Sequence, residues 1–311
     1  MAGASAESPR AEKFHIFSTA RRGRIIAMDI TIGIILLAAA AYFFYRVETE
    51  LSYTWNWGVI PRYLVRIGPE GVPVPNSLLI GFFYTLKLAV WSSLFAAILG
   101  TLMGVLRAGK GLFGNLVGGT YVSIVRNLPP LVLIFIVYYF VSDQVSTVLG
   151  IDEMVAGAAP GTRRVLTSLF TEPSRFSAFL AAVLTLGLYE GAYVTEIVRS
   201  GIHSIPKGQW EASYTLGLSP YRKYRHVILP QAWRKTLPPL AGQFISTIKD
   251  SAIVSVISVQ ELTFQGLELM AATHLTFEIW ITITLMYFVL TFSCSSAIRR
   301  LEVRLQRRYG D

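Results

Sequence analysis

Charge and cysteine are both scarce in this sequence of 311 residues. Charged residues make up 15% of it, against roughly 25% in soluble domains, which is too little to cover the surface of a water-soluble globule. Cys294 is the only cysteine, so a disulfide scaffold is excluded. Hydrophobic residues make up 53%, a content that excludes a disordered chain. Together these values indicate a protein that lies in a lipid bilayer.

Six long apolar segments take the place of a polar surface. They cover residues 25–45, 78–106, 121–141, 178–198, 240–259 and 279–298. Segments of this length cross a hydrocarbon core of about 30 Å as helices, whereas the strands of a membrane barrel alternate in polarity over about ten residues. The sequence therefore predicts an all-α integral membrane protein with about six transmembrane helices.

The basic residues between these segments predict the orientation of the chain. With the N-terminus inside, 19 Lys and Arg residues lie on the cytoplasmic side and six lie outside, as the positive-inside rule requires. A signal peptide is the alternative for the first segment, because Arg21, Arg22 and Arg24 precede it. The predicted organisation is a cytoplasmic tail (1–24), an N-terminal span (25–45), a periplasmic loop (46–77), a transmembrane domain (78–298) with a cytoplasmic loop (200–236), and a basic cytoplasmic tail (299–311).

The cytoplasmic loop, residues 200–236, carries helical signals of its own. Residues 211–216 are predicted to form a short helix, with Glu211 near its positive N-terminal end. Gly217 then suits the left-handed conformation that closes a helix. Because connections between helices are usually a few residues long, this long loop indicates a function beyond connection.

A second short helix is predicted directly after Gly217. Ser219 is a good N-cap and Pro220 a good first-turn residue, and the helix, residues 221–228, is expected to end before Pro230. A helix–glycine–helix element on the cytoplasmic face is typical of a docking surface for a soluble partner. The alternative is a helix pair that lies on the membrane surface without a partner.

The spacing of residues in this loop resembles the EAA loop of bacterial ABC-transporter permease subunits. The order is Glu211-Ala212-Ser213, three residues, Gly217, nine residues, Val227, one residue, Leu229-Pro230. Ser213 and Val227 depart from the family pattern, which has Ala and Ile at these positions. Four further segments (85–89, 121–129, 189–199 and 206–210) resemble importers of polar amino acids, and the likeness covers about residues 78–304.

The resemblance implies a five-helix type I importer core plus an N-terminal anchor helix in the bacterial inner membrane. It implies two ATPase subunits, a second permease subunit that is identical or paralogous, a periplasmic binding protein and an amino acid substrate of the glutamate, glutamine or aspartate class. No cofactor is expected in this chain, because the ATPase subunit binds ATP and Mg²⁺. By analogy, the residues that couple to the ATPase are Glu211, Ala212, Ser213, Gly217, Leu229 and Pro230.

Charged residues inside apolar segments are costly and therefore suggest function. The candidates for the substrate pathway are Lys249, Asp250, Glu190 and Arg126. An ammonium at position 249 can meet a substrate carboxylate, or it can form an ion pair with Glu190 between helices. Arg126 has the alternative of capping carbonyls that Pro129 and Pro130 leave without donors. Glu196, nearer the cytoplasmic surface, is expected to be solvated or paired with the loop.

Glycines four residues apart occur at Gly100/Gly104 and at Gly187/Gly191. Such pairs let two membrane helices approach closely. The alternative is that they reflect the general frequency of glycine in membrane helices.

A catalytic function finds no support in the sequence. Residues 104–110 fit the first seven positions of a phosphate-binding loop, but Gly111 stands where Ser or Thr would hold Mg²⁺. Hydrolase motifs and metal-ligand spacings are absent from the sequence, which disfavours an intramembrane enzyme. A self-sufficient secondary transporter is disfavoured because the sequence shows no internal repeat.

Overall fold

The computed structural model of the chain describes residues 28–46, 49, 53–109 and 111–309. The chain divides into two compact units, residues 1–55 and 56–311. In the first unit, helix α1 (Met28–Arg46) has a mean hydropathy of 1.8, which suits a membrane span. The predicted N-terminal cytoplasmic tail, residues 1–24, and Lys110 lie outside the described residues.

Among the described residues of the second unit, the helices are accompanied by one small hairpin. Its α-helices are α2 (Ile60–Leu64), α3 (Ser77–Ala108), α4 (Leu112–Asn127), α5 (Pro130–Ile136), α6 (Asp143–Leu149), α7 (Ile151–Ala156), α8 (Pro160–Leu169), α9 (Phe176–His203), α10 (Lys207–Thr215), α11 (Pro220–Lys223), α12 (Leu229–Asp250), α13 (Leu262–Thr273) and α14 (Thr276–Tyr309). Strands β1 (Val65–Ile67) and β2 (Pro73–Pro75) pair antiparallel. The predicted all-α class is confirmed, with this hairpin as an addition that the sequence reasoning missed.

The predicted number of spans is also confirmed. Among the described residues, five helical stretches are long and apolar enough to cross a membrane: Met28–Arg46, Ser77–Ala108, Pro173–His203, Pro220–Ile257 and Thr276–Arg300. The bent pair formed by α4 and the helix after it makes the sixth.

The third predicted span, residues 121–141, is not one straight helix. The two helices that form it meet at an angle of 114°. Leu128 and Pro129 have extended backbones, with ψ angles of 144° and 131°, because a proline ring disfavours the helical conformation of the residue before it. The successive prolines Pro129 and Pro130 therefore break the span that was predicted as one straight helix.

Helices α3 and α9 pack side by side in parallel along most of their length. Gly100 faces Val194, and Gly104 faces Val198 one turn further on. A Cβ atom on Gly100 would lie 2.5 Å from the Cβ of Val194, so the absence of a side chain is what lets the two helices approach this closely. Of the two interpretations of the paired glycines, the structure confirms close approach.

The helix predicted to end before Pro230 continues through it, so that prediction is wrong. α11, a π-helical turn (Tyr224–Ile228) and α12 follow one another without a break. The Leu229 N–H donates to the Tyr224 carbonyl, five residues back, and Pro230 follows with no N–H to place. Because the π turn is wider than an α turn, it accommodates the proline ring. α12 thus begins well before residue 240, the predicted start of the fifth span.

The fifth predicted span, residues 240–259, changes from an α-helix to a 3₁₀ helix and is broken at Ser258, whose φ is 59°. α12 ends at Asp250 and is followed by a 3₁₀ turn, Ser251–Ile257. Glu261, which is fully buried, then caps α13. Its carboxylate accepts hydrogen bonds from two backbone N–H groups of that helix and from the Tyr287 hydroxyl at 2.6 Å. These bonds fasten the chain after the break to α14.

Candidate functional site

One face of the second unit, made by α9 and α12, carries polar or small residues along most of its length. They are exposed or half-exposed and comprise Tyr189, Tyr193, Glu196, Ser200 and Ser204 on α9 and its C-cap, and Lys235, Pro239, Gly242, Ser246 and Lys249 on α12. Members of each set are three or four positions apart, so they form one stripe on each helix. The two helices run antiparallel, with Gly201 of α9 against Thr236 of α12. We call this surface the α9–α12 face.

A cavity of about 510 Å³ opens on the α9–α12 face near the start of α12. Glu196, Ser200 and Lys235 are among the residues that line it. The Lys235 ammonium also donates to the Ser204 carbonyl at 2.9 Å, which joins the end of α9 to α12. This volume is in the range of small-ligand pockets, so the face has room for a small polar molecule at this end.

Two tyrosines and an arginine stand at the middle of the α9–α12 face. The hydroxyl oxygens of Tyr189 and Tyr193 are 3.1 Å apart. The Arg126 guanidinium, from α4, lies 5.1 Å from the centre of the Tyr193 ring, which is a cation–π contact. Within the described residues, Arg126 forms this contact and no hydrogen bond to a backbone carbonyl. Arg126 therefore borders the face, and the capping role is not what its geometry serves.

Glu190 lies behind the α9–α12 face, completely buried. Its carboxylate accepts a hydrogen bond from the Gln243 side chain of α12, while its Oε1 atom has no hydrogen-bond partner among the described residues. Asp250 lies close enough to interact with it electrostatically. Polar groups of two helices therefore meet at mid-length, with Glu190 joining the helices rather than lining the surface.

Lys249 and Asp250 are adjacent in sequence but differ in surroundings. Lys249 is exposed on the α9–α12 face, and Asp250 is half-exposed beside Glu190. Among the described residues Lys249 forms no ion pair with Glu190, so the interhelical pair considered from the sequence is not formed. Successive helical residues point about 100° apart, and the side of α12 that meets Glu190 carries Gln243.

Glu196 is paired, but with residues of two helices rather than with the cytoplasmic loop. Its carboxylate contacts Arg107 at the end of α3 and Arg199 one turn further along α9, with 3.0 Å between Nε and Oε2. The pair with Arg107 links α9 to α3 at the end where α12 begins. Sequence reasoning did not single out Arg107, because its partner is far away along the chain.

The segment between α9 and α12, residues 204–228, is called the loop segment below. Its first helix, α10, ends in a Schellman motif: the Leu218 N–H donates to Ser213 O at 3.1 Å, and the Gly217 N–H donates to Tyr214 O at 2.9 Å. Gly217 has a φ of 64°, so its predicted left-handed conformation is confirmed. The expectation that Glu211 lies at the start of a helix is wrong, because α10 already begins at Lys207.

Lys223 holds α10 against α11. Its side chain is buried, and its Nζ lies 3.9 Å from the centre of the Tyr214 ring and 5.6 Å from that of Trp210. The Trp210 ring in turn meets Tyr224 edge-on, with 5.6 Å between centroids. Ser219 occupies the N-cap position of α11 as predicted, although its side chain forms no capping bond. An ammonium enclosed by two rings thus fixes the loop segment as one body.

The residues of the EAA-like pattern divide between an outward and an inward side. Glu211, Ala212, Gly217 and Pro230 are exposed, Leu229 is half-buried, and Ser213 is buried with its hydroxyl donating to Trp210 O at 2.7 Å. Large apolar side chains accompany the outward set: Tyr214, Leu216 and Tyr221 are 63%, 75% and 68% exposed. Exposed apolar groups beside charged ones are typical of a protein docking surface.

Several residues at these sites were missed by the sequence reasoning. Tyr189 and Tyr193 had a signal, since polar residues recur at helical spacing along an otherwise apolar α9. Gln243 and Lys87 have no signal in the sequence that marks them as functional. The Lys87 ammonium donates to Thr167 O at 3.0 Å, so it stabilises the carbonyl end of α8 from α3.

These features belong to a multi-span helical membrane protein with a polar face between two helices and a helical loop segment at one end. The family model described as the binding-protein-dependent transport system inner membrane component matches residues 96–307. The chain belongs to this family of multi-pass inner-membrane permeases.

Relatives in the family narrow the transporter class. The chain is 34% identical over 224 residues to the glutamine transport system permease protein GlnP of Escherichia coli K12, covering 71% of this chain and 90% of the relative. It is 34% identical over 223 residues to the arginine ABC transporter permease protein ArtQ of Haemophilus influenzae, covering 72% and 90%. The glutamate/aspartate import permease protein GltJ of Escherichia coli K12 is 28% identical, covering 77% and 90%. The chain is therefore a permease subunit of an amino acid ABC importer.

Solved structures share the fold. A crystal structure of an amino acid ABC transporter with histidines has a TM-score of 0.61 at 28% identity, covering 81% of this chain and all of that chain. An inward-facing methionine transporter, MetNI, has a TM-score of 0.58 at 18% identity, covering 73% and 95%. The second likeness concerns the fold alone.

Proposed function

We propose that the α9–α12 face lines the path of a polar amino acid through the membrane, and that the loop segment couples this path to an ATPase. The observation that supports both parts is continuity, since the loop segment joins the end of α9 to the start of α12. The helical chain runs unbroken from Pro220 to Asp250. A displacement of the loop segment therefore moves α12 with it, which is how an external two-state element drives alternating access.

The partners follow from the exposed surfaces. Two ATPase subunits supply ATP hydrolysis and bind ATP and Mg²⁺, and one of them docks on the exposed side of α10 that carries Glu211, Ala212 and Gly217. A second permease subunit, identical or paralogous, covers the α9–α12 face and completes the path. A periplasmic binding protein delivers the substrate at the far end. This chain holds no cofactor and catalyses no reaction.

The proposed orientation places both termini and the loop segment in the cytoplasm. It is supported by the 19 basic residues that this arrangement puts inside against six outside. The exposed docking surface on α10 also suits the side on which ATP is available.

For the substrate we propose the glutamate, glutamine or aspartate class. Arg126 borders the middle of the α9–α12 face, Lys249 lies on it, and Asp250 stands beside Lys249. Two cations can bind the carboxylates of the substrate, while Asp250 can bind its α-ammonium. The relatives named for glutamine and for glutamate/aspartate support this class; the relative named for arginine makes a cationic amino acid the alternative to be tested.

The test is uptake by the purified chain in proteoliposomes, with and without its ATPase and binding protein. We expect ATP-dependent uptake of glutamate, glutamine or aspartate by the full assembly and none by the permease alone. Uptake of arginine in preference to all three would overturn the substrate class but leave the transport mechanism intact. Robust uptake by the chain without any ATPase would show a self-sufficient transporter and overturn the coupling.

A further inference from the structure

The hairpin before α3 has one side made entirely of apolar residues. β1 and β2 pair Val65 with Pro75 and Ile67 with Pro73. Because side chains alternate between the two sides of a strand, these four residues share one side, while Arg66 and its partner Val74 lie on the other. We call the four residues the hairpin patch.

The hairpin patch is open to its surroundings. Ile67 is 79% exposed and Val65 is 42% exposed, and both prolines are exposed. A two-stranded hairpin is marginally stable on its own in water, so an apolar side of this kind needs a cover.

The base of the hairpin is fixed at the starts of two membrane helices. The Asn76 N–H donates to Leu64 O at 2.9 Å, and the Asn76 side chain bonds to Arg62 O. Ile60 of α2 is buried with Leu78 of α3 and with residues of α14. The hairpin therefore lies where α3 and α14 enter the membrane, at the end opposite the loop segment.

The position of the hairpin favours lipid as its cover. α2 packs on α3 and α14, and β2 packs on α3. Among the four unbent apolar spans of the second unit, α14 is the least buried, with 17% of its apolar window buried. Exposed apolar side chains such as Ile80 and Phe83 continue this lipid-facing surface along the first turns of α3. The α9–α12 face, where a delivering protein would act, belongs to other helices.

The residue types in and near the hairpin also favour lipid as its cover. Trp57 is 44% exposed and Arg62 and Arg66 are exposed, and aromatic and long basic side chains are typical of the boundary between lipid and water. Pro73 and Pro75 offer no N–H on their strand, which opposes the addition of a strand from a partner protein.

We propose that the hairpin is an interfacial membrane anchor whose apolar patch inserts among the headgroups and upper acyl chains of the leaflet opposite the loop segment. Arg62 and Arg66 would then lie at the phosphate level. This anchor fixes the outer starts of α3 and α14 relative to the bilayer, and it depends on the membrane location of the chain rather than on its substrate.

A single nitroxide label measures the depth of the hairpin patch in proteoliposomes. Replacing Cys294, the only cysteine, by Ala gives a background in which Ile67→Cys carries one label. We expect collisions with O₂ to exceed collisions with a water-soluble nickel chelate at position 67. Glu70→Cys, at the exposed tip, is the control and should show the reverse ratio. Ile67→Trp in the otherwise native chain gives a second measurement, and its added fluorescence should be quenched by lipids brominated near the headgroup.

Two results would overturn the anchor. One is a label at position 67 that is as accessible to the nickel chelate as the label at position 70, together with no quenching of the added tryptophan. The other is a label that is accessible in the permease alone and becomes immobile only when a binding protein is added, which would assign the hairpin patch to protein docking.

Discussion

Helix α9 meets α3 on one side and α12 on the other, and the two contacts differ in their polar content. Toward α3 the contact is apolar along most of its length and set by glycines, with Gly100 and Gly104 against valines of α9. Toward α12, close packing of Gly201 against Thr236 is combined with a buried Glu190–Gln243 hydrogen bond. A cavity of about 510 Å³ opens at the end where α12 begins.

This difference indicates which of the two helix contacts can rearrange. Close-packed apolar interfaces tolerate little displacement, because every shift loses many small attractions or creates a clash. A contact that holds cavities and a few hydrogen bonds has alternative arrangements of similar energy. We therefore infer that α3 and α9 form the fixed scaffold of the subunit, and that α12, with the loop segment, is the part that moves against it.

The largest loss of stability is expected from a substitution that disrupts the contact between α3 and α9. In Gly100→Ala, the new Cβ would lie 2.5 Å from the Val194 Cβ and 2.8 Å from the Gly191 carbonyl oxygen, and a backbone atom cannot give way. We expect a loss of about 1–3 kcal/mol in stability, as for overpacked cores, measured as a lower melting temperature of the detergent-solubilised complex. The matched control is Gly242→Ala, where a Cβ meets nothing within 4 Å. Equal melting temperatures for the two variants would contradict the scaffold.

A substitution at Gly217 should impair coupling to the ATPase without preventing folding. In Gly217→Val, the φ of 64° forces a β-branched residue into the left-handed region, at a cost of about 1–2 kcal/mol, although the Cβ meets no neighbour. We expect the protein to insert and assemble while substrate-stimulated ATP hydrolysis falls at least several-fold. Gly217→Asn, which tolerates this conformation, should keep most of the activity. If the valine variant hydrolyses ATP normally in response to substrate, the loop segment does not couple.

A smaller effect concerns the internal order of the loop segment. Lys223→Met removes the ammonium held between Tyr214 and Trp210, a contact of about 1–2 kcal/mol in a desolvated site. We expect the loop segment to exchange its amide hydrogens faster and transport to fall with it. Lys223→Arg keeps the cation and should behave like the native chain. Unchanged hydrogen exchange in the methionine variant would mean that the rings alone hold α10 and α11 together.

The smallest effect on stability is expected from a substitution on the α9–α12 face. Lys249 is exposed, so Lys249→Met should leave the melting temperature unchanged. Uptake of a carboxylate-bearing amino acid should nevertheless fall several-fold, because a cation on the α9–α12 face is lost, and Lys249→Arg should retain it. Normal uptake combined with a lower melting temperature would make Lys249 a structural residue.

The features that the sequence predicted are those with local causes. The spans follow from uninterrupted apolar runs, and the left-handed Gly217 follows from a helix that needs a residue without a Cβ to close it. Two of the errors in helix boundaries concern prolines. At Pro129 the helix breaks and at Pro230 it continues, and the difference lies in a π-helical turn that no residue pattern around Pro230 displays.

The candidate site was predictable only as a set of separate residues. Lys249, Asp250, Glu190 and Arg126 were marked by their charge, but which of them is exposed depends on how α9 turns toward α12. That rotation is set by tertiary contacts such as Gly201 against Thr236. The sequence therefore marked Glu190 as a pathway candidate, whereas packing places it behind the α9–α12 face.

The most direct test of the central claim is the reactivity of single cysteines along α12 in the assembled transporter. In the Cys294→Ala background, Gly242→Cys and Ser246→Cys lie on the α9–α12 face, while Ile248→Cys is buried on the opposite side. Positions 242 and 246 should react with a water-soluble maleimide at a rate that changes with ATP and bound substrate, and position 248 should stay unreactive. Equal or unchanging reactivity at all three positions would contradict the claim that this face is the moving wall of the transport path.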